Sequence, residues 1–289
     1  MSVGLRPGSA SERTLAATSW FVFAFLYAPI IVLTIFSFND NDNVGIWTEF
    51  SFRWYGEMFQ NDAVMSALRN SLIVAFVSTI VSTVLGTAAA VALERYRFRG
   101  RAAFDGLSYL PVIIPDVTMA VMLLLFFVQA FRMLGGAGIH LELGLGTISL
   151  SHIAFNISFV AIVVRAKLGQ LDPSLEEAAA DLYADRWTAF RKVTLPLIMP
   201  AVLGGALLAL TLSLDDVVVT SFVSGPGSTT LPVYVFGLVR RGVTPLINAV
   251  SVVMLVASIS LVLVSLVFQR RGEEVPESEE PPIEVAKTT

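Results

Sequence analysis

Leaving aside one run broken by Gly-Pro-Gly, six stretches of the chain run for 15 or more residues without an Asp, Glu, Lys or Arg: Thr14–Asn39, Asn70–Leu93, Val117–Phe131, Leu143–Val164, Val193–Leu214 and Gly242–Gln269. A water-soluble core has no use for such lengths, whereas an α-helix needs about 20 apolar residues to cross ~30 Å of hydrocarbon. Only 15% of the residues are charged and 55% are hydrophobic, where a soluble domain carries about 25% charge. These features exclude a soluble enzyme, a disordered protein and a nucleic-acid binder. They predict an all-α integral membrane protein of about six transmembrane helices.

The third stretch reaches spanning length only if its helix starts near Leu107 and carries Asp116 inside the membrane. A seventh apolar run, Val217–Val239, is broken by Gly225-Pro226-Gly227 and Pro232. Broken backbone is not viable against lipid, so this run is expected to be a re-entrant or surface loop. The first stretch follows Arg6 and Arg13, is too long for a signal-peptide core and precedes no small-residue cleavage pattern. It is expected to be an uncleaved anchor.

The net charge of −4 belongs to one end, because Glu273–Thr289 holds six Glu, one Lys and three Pro. Such a segment cannot bury enough apolar surface to order itself, and residues 270–289 are expected to form a disordered acidic tail. The other divisions are a short segment 1–13 and a transmembrane domain 14–269, with a loop at 165–196. If the N-terminus is cytoplasmic, 14 of the 19 basic residues fall on the inside, including Arg95, Arg97, Arg99, Arg101, Arg165 and Lys167. The positive-inside rule therefore predicts both termini inside. Absence of Cys removes disulfides, thiolate metal sites and Cys nucleophiles. Two His, His140 and His152, are too few for a histidine metal site, and no catalytic residue is expected.

The stretch Arg165–Pro196 is the most informative. Asp172-Pro173 reads as a helix cap followed by proline at the first helical position, and Ser174 with Glu177 offers an alternative capping box. Leu175, Ala178, Ala179 and Leu182 then fall on one helical face, whose alanines let another surface come close. Asp185 can cap a second short helix bearing Trp187 and Phe190, which Leu195-Pro196 is expected to stop. On amphipathicity alone this is either a docking device or a solvated connection.

Glu177-Ala178-Ala179, three residues, a turn position, nine residues, then Val193-Thr194-Leu195-Pro196 resembles the EAA loop of ABC importer permeases. Val193 stands for the family's Ile and Tyr183 for its turn glycine. A tyrosine in that left-handed position costs about 1–2 kcal/mol. The resemblance implies the type I ABC importer permease architecture and a bacterial cytoplasmic-membrane location. It makes Glu177, Ala178, Ala179, Leu182, Tyr183, Trp187, Leu195 and Pro196 the interface to an ATPase. No G-x-x-x-x-G-K-[ST] occurs in the chain, so ATP and Mg would be held by a partner and no cofactor by this chain. The implied partners are two ATPase subunits, a homologous second permease subunit and an extracytoplasmic solute-binding protein, alongside membrane lipid.

Ionisable groups at membrane depth mark pathways. Asp116 is placed near the midplane, about ten residues past the basic cluster, either as a pathway group or as a hydrogen-bonded carboxylate at a proline kink. Asp215 and Asp216 close the fifth span, where they either meet a cation or, for Asp216, pair with Arg240 or Arg241. The segment Ser213 to Gly227, with Thr230-Leu231-Pro232 and Gly242 to Ala249, is similar to the spermidine/putrescine permeases. So are Tyr27-Ala28-Pro29, Ser37-Phe38-Asn39 and Arg53-Trp54-Tyr55, and the likeness covers most of Leu15 to Gln269. It points to the second of the two permease subunit types, with Asp116, Asp215 and Asp216 as carboxylates for a polycation. Trp54 and Tyr55 are either stacking groups for ammonium ends or interfacial aromatics. A permease for another solute (ferric ion, a sugar, an organic anion) and a stand-alone secondary transporter are the alternatives.

Overall fold

The computed structural model describes residues 10–136, 138–172, 174–242 and 244–271. Apart from an isolated antiparallel bridge between Asn39 and Phe50, the regular structure among them is helical. The helices are α1 (Ala10–Phe36), α2 (Arg53–Gln60), α3 (Asp62–Arg95), α4 (Arg101–Ile113), α5 (Asp116–Gly135) and α6 (Leu145–Leu168). They continue with α7 (Ser174–Asp181), α8 (Arg186–Ala189), a π segment (Phe190–Thr194) and α9 (Leu195–Asp215). The last are α10 (Val218–Val223), α11 (Leu231–Arg241) and α12 (Pro245–Arg271). Among the described residues six helical stretches are long and apolar enough to span a bilayer, as expected. Of the expected tail 270–289, residues 270 and 271 end α12, and of the segment 1–13, residues 10–13 open α1; the rest of both lies outside the described residues.

Two sequence expectations need correction. The third span does not start near Leu107: α4 ends at Ile113, the chain breaks at Ile114-Pro115, and α5 begins at Asp116. Proline disfavours helical backbone in the residue before it, which puts the break at Ile114. Asp116 therefore occupies the first turn of a helix, where its charge suits the macrodipole, with Arg132 in the last turn. Asp185 does cap α8, but Leu195-Pro196 does not stop it, since α8, the π segment and α9 run on as one stretch, Arg186–Asp215. The Leu195 N–H bonds the Phe190 carbonyl five residues back. That widened turn absorbs the conflict between the Pro196 ring and the carbonyl four residues before it.

The chain folds as two compact units. The first comprises the residues up to Ser78, Ile114–His152 and Leu212–Ile259. One of its cores joins Val74, Ala120, Phe127, Ile148, Val219 and Val223, and another joins Met58, Val64, Ala67, Leu231 and Val250. The seventh apolar run forms α10 and α11, both too short to span, and its broken backbone is buried in protein at Val219, Thr220, Val223, Ser228 and Thr230. Asn70 Nδ2 donates to the carbonyls of Gly227 and Thr229, both at 3.0 Å, and the Leu231 N–H donates to Ser71 Oγ at 2.8 Å. Gly225 is required there, because a Cβ would lie 1.8 Å from the Leu143 carbonyl oxygen.

In the same unit, Trp54 is buried and its indole N–H donates to the Asn39 carbonyl at 2.7 Å. The Tyr55 hydroxyl sits 2.8 Å from Ser37 Oγ. Both aromatics are thus committed to shaping the 37–55 loop, whose centre is the buried amide of Asn39 bonded to Ile46 and Thr48.

The second unit comprises Thr79–Ile113, Ile153–Thr211 and the residues from Ser260. Its core joins Ala89, Ala90, Val160, Ala161, Val164, Leu168, Ile198 and Ala209. Gly86 on α3 has no room for a side chain, since a Cβ would meet Val160 Cβ at 2.7 Å. Small residues let apolar helices approach where no hydrophobic force drives them together in lipid.

Candidate functional site

The 165–196 loop is built as the sequence predicts in most particulars. The Asp172 carboxylate accepts from the Ser174 N–H at 2.9 Å, a bond that holds its pKa below the usual carboxylate range. Pro173 lies outside the described residues. The helix that follows ends in a complete Schellman motif: the Tyr183 N–H bonds the Ala180 carbonyl at 2.9 Å and the Ala184 N–H bonds Ala179 at 3.0 Å. Tyr183 takes the left-handed turn position with φ of 61°. The residue is 99% exposed, so no side-chain packing compensates the strain. Asp185 accepts from the Trp187 N–H at 3.2 Å and from the Thr188 hydroxyl. The Trp187 ring packs on Phe190 with centroids 5.7 Å apart.

Exposure divides the predicted interface residues. Ala179 is buried and Leu195 half-buried against the core of the second unit, while Glu177, Ala178, Leu182, Tyr183, Trp187 and Pro196 are exposed. Leu182 at 83%, just past the end of α7, and Trp187 at 65%, on α8, are large apolar groups in the open.

The acidic doublet splits. Glu177 points outward, whereas Glu176 Oε1 accepts from the Thr194 hydroxyl at 2.8 Å and lies 3.1 Å from Arg95 Nε at the end of α3. Beside this anchor, Arg165 at the end of α6 donates to Glu94 at 3.1 Å and to Asp105 of α4. Arg95, Glu176 and Thr194 also line a cavity of about 340 Å³.

In the first unit the predicted pathway carboxylates have different fates. Asp116 and Asp215 are exposed. Asp216, with its side chain 12% exposed, accepts from the N–H groups of Val219 (3.2 Å) and Thr220 (2.7 Å) and from the Thr220 hydroxyl (2.7 Å). Its nearest basic neighbour is His152, with Nε2 at 3.3 Å, and not Arg240, whose guanidinium lies 4.5 Å over the Phe236 ring. The Arg241 side chain lies outside the described residues. The fully buried His152 ring also reaches Thr220 Oγ1 at 3.0 Å and Ser213 Oγ at 2.6 Å, and Ser213 reaches Ser78 at 3.0 Å. With Nε2 protonated, one direction of donation fits throughout: Ser213 to Nδ1, Nε2 to Thr220, Thr220 to Asp216. No cluster of metal-ligating side chains occurs among the described residues.

Sequence reasoning missed His152, Glu176 and Arg95 as functional neighbours. For His152 there was a signal, a titratable ring within an apolar run. Glu176 had none, because either residue of an acidic doublet can face inward.

Six helices of spanning length among the described residues, with an exposed pair of short helices leading into the fifth, are the build of a multi-pass membrane protein. Residues 82–273 match the family described as binding-protein-dependent transport system inner membrane component. The chain belongs to that family and is a permease subunit of an ATP-binding cassette importer, a multi-pass inner-membrane protein. It is 47% identical over 234 residues to the putrescine transport system permease protein PotI of Escherichia coli (strain K12), covering 81% of this chain and 82% of that one. It is 41% identical over 252 residues to the spermidine/putrescine transport system permease protein PotC of Haemophilus influenzae, covering 87% and 94%. In fold it is similar to a chain of a bacterial ABC transporter that imports the acidic polysaccharide alginate, with a TM-score of 0.74 at 22% identity over 90% of this chain and 94% of that one. The MetNI methionine transporter gives 0.60 at 19% identity over 73% and 99%. Permeases of this family work with ATPase subunits and solute-binding proteins.

Proposed function

We propose that this subunit moves polyamines, putrescine and spermidine, inward across the cytoplasmic membrane. The observation that carries this reading is its similarity to putrescine and spermidine/putrescine permeases along most of its length. Chemistry agrees: a flexible polycation needs carboxylates, and Asp215 offers an exposed one at the end of the fifth span, with Asp116 exposed at the start of the third. Asp216 serves the pathway by holding the chain where α9 ends, since its own oxygens are already occupied.

Both termini lie on the cytoplasmic side in this reading, with the transmembrane domain at 14–269 and an acidic tail from 270. The loop around Glu177, Ala178, Leu182, Tyr183 and Trp187 docks on one of two ATPase subunits, and a homologous permease completes the membrane pair. An extracytoplasmic binding protein delivers the polyamine. ATP binding draws the ATPases together, the loop moves with its ATPase, and the spans reopen on the opposite face. The supporting structural feature is the exposed apolar surface of α7 and α8.

The test is uptake of labelled putrescine and spermidine by the complete transporter in liposomes with internal ATP. ATP-dependent uptake of either polyamine supports the reading. ATP-dependent uptake of a sugar, organic anion or ferric ion without polyamine uptake would assign a different solute. Uptake without the ATPase would assign a secondary transporter.

A further inference from the structure

We propose that Glu176, the neighbour of the motif glutamate, is a positioning residue for coupling, which pins the docking loop to α3 and to the π segment. The inference rests on the docking role of α7 and α8 proposed above and adds the route by which their movement enters the membrane helices.

The geometry is a three-way junction inside one compact unit. Glu176 stands in the first turn of α7, Thr194 ends the π segment, and Arg95 ends α3. One carboxylate oxygen of Glu176 serves both partners, taking the Thr194 hydroxyl at 2.8 Å and lying 3.1 Å from Arg95 Nε. Thr194 is buried, and the side chains of Arg95 and Glu176 are 18% and 34% exposed, so water screens the pair less than it would a surface ion pair. Arg95 Nε is out of line for a hydrogen bond to Glu176 and has no other partner among the described residues. The charge of Glu176 is therefore what compensates it there.

Connectivity gives the junction its consequence. α7 is only eight residues long and its outer face is exposed at Leu175 and Ala178, with Leu182 exposed just past its end. Its ties to the rest of the unit include Ala179, which is buried, and the Glu176 carboxylate. The apolar contact resists separation but is non-directional. The charged, hydrogen-bonded one fixes orientation. α3 is one unbroken helix of 34 residues, so a displacement applied at Arg95 acts on a stiff rod. Coupling carried this way needs a discrete contact that both elements share, and Glu176 supplies it.

The experiment uses the complete transporter in liposomes, comparing the parent with Glu176→Gln, Thr194→Val and the exchange Glu176→Arg with Arg95→Glu. Capture of the ATPase on the tagged permease, ATP hydrolysis stimulated by the loaded binding protein, and putrescine uptake are read on the same preparations. The expected result is that Glu176→Gln still captures ATPase but moves about tenfold less putrescine per ATP, the size of a typical coupling between sites. Thr194→Val, which leaves the charge in place, gives a smaller loss, and the exchange restores at least half of the parent ratio. Retained ATPase capture with an unchanged transport-to-hydrolysis ratio in Glu176→Gln would overturn the proposal, as would an exchange variant no better than Glu176→Gln alone. Failure of the parent chain to capture ATPase would instead overturn the docking role itself.

Discussion

His152 Nδ1 lies 2.6 Å from the Ser213 hydroxyl, which ties α6 to the last turn of α9 through a fully buried imidazole. The other ring nitrogen holds Thr220 and Asp216 at the start of α10. One side chain therefore spans the break between α9 and α10, where the chain leaves the helix that ends at Asp215. Replacing His152 with Leu removes hydrogen bonds to the Ser213 and Thr220 hydroxyls, which keep Ser78 and Asp216 as partners, and takes the ring from beside a carboxylate. A net hydrogen bond is worth about 0.5–1.5 kcal/mol, and interhelical hydrogen bonds in membrane proteins average ~0.6 kcal/mol. A loss of about 1–2 kcal/mol is expected, because Asp216 keeps its two backbone donors. A thermal-unfolding cycle with Ser213→Ala checks it; additivity within ~0.3 kcal/mol would show that the two residues do not act together.

Tyr183 is held in its strained backbone conformation by the two hydrogen bonds of the Schellman turn, with no side-chain packing to offset the cost. Substitution by glycine relieves a left-handed conformation worth about 1–2 kcal/mol, less the extra freedom glycine gains in the unfolded chain. Since the residue is 99% exposed, no side-chain packing within this chain is lost. Tyr183→Gly is expected to raise the melting temperature of the isolated permease, and Tyr183→Ala, which keeps a Cβ in the same conformation, to leave it near the parent. If glycine gives no gain while the ATPase complex weakens, the ring acts in the interface and its strain is maintained for that purpose.

Local chemistry made part of this legible from the residues alone. The six spans and the cap at Asp185 follow from hydropathy and short-range capping, and the left-handed turn at Tyr183 from the resemblance to a motif with glycine at that position; the structure contains all three. The helix break at Ile114-Pro115 follows from the same rules, but hydropathy, which favours one long span, obscured it. What the sequence could not carry was direction. That Glu176 turns inward and Glu177 outward depends on where α3 ends relative to α7. That His152 meets Ser213 depends on a contact across 61 residues of chain. The π segment is likewise a tertiary outcome, since the Pro196 that calls for it would stop a helix not continued by α9.

The Asp185 cap carries a pH dependence of known sign. Its carboxyl is held below the ordinary range chiefly by the Thr188 hydroxyl. A folded-state pKa below the unfolded one gives stability that is complete above the ordinary carboxylate value of about 3.9 and is lost as pH falls through the depressed value. The loop is therefore expected to be insensitive to pH from about 8 to 5 and to loosen below about 4. Trp187 fluorescence reports this once Trp20, Trp47 and Trp54 are replaced by Phe. Asp185→Asn, which caps without titrating, should abolish the acid transition; a transition centred above about pH 6 would assign it to another group.

Asp215 and Asp216 are neighbours with opposite expected phenotypes. Asp215 is exposed, so Asp215→Asn should leave folding intact while removing a charge from the route of a polycation. Losing one charged contact of about 1.5–3 kcal/mol lowers uptake of a cationic solute by roughly tenfold or more. Asp216→Asn puts an amide against the N–H groups of Val219 and Thr220 and the Thr220 hydroxyl, and whichever side presents the NH2 leaves a backbone N–H without its acceptor. It is expected to reduce the amount of folded permease before any effect on transport is read. Measuring membrane content and uptake per folded molecule for both variants separates them. Equal loss of folded protein in both would remove Asp215 from the pathway.

The exposed alanine of the loop gives the cleanest test of docking. Ala178 is exposed and Ala179 buried, so a Trp at 179 would break the packing of α7 against its own unit and say nothing about a partner. Ala178→Trp adds bulk only on the outer face, and Glu177→Lys reverses a charge there without touching Glu176. Both variants are expected to insert and melt within about 0.5 kcal/mol of the parent, as surface substitutions do. Ala178→Trp should release the ATPase on tagged purification, because overpacking a close interface costs about 1–3 kcal/mol or more. Glu177→Lys should keep some ATPase bound yet hydrolyse ATP without uptake. Retention of ATPase by Ala178→Trp with normal uptake would move the docking surface away from α7 and toward Trp187 on α8, which a Trp187→Ala variant would then have to disrupt.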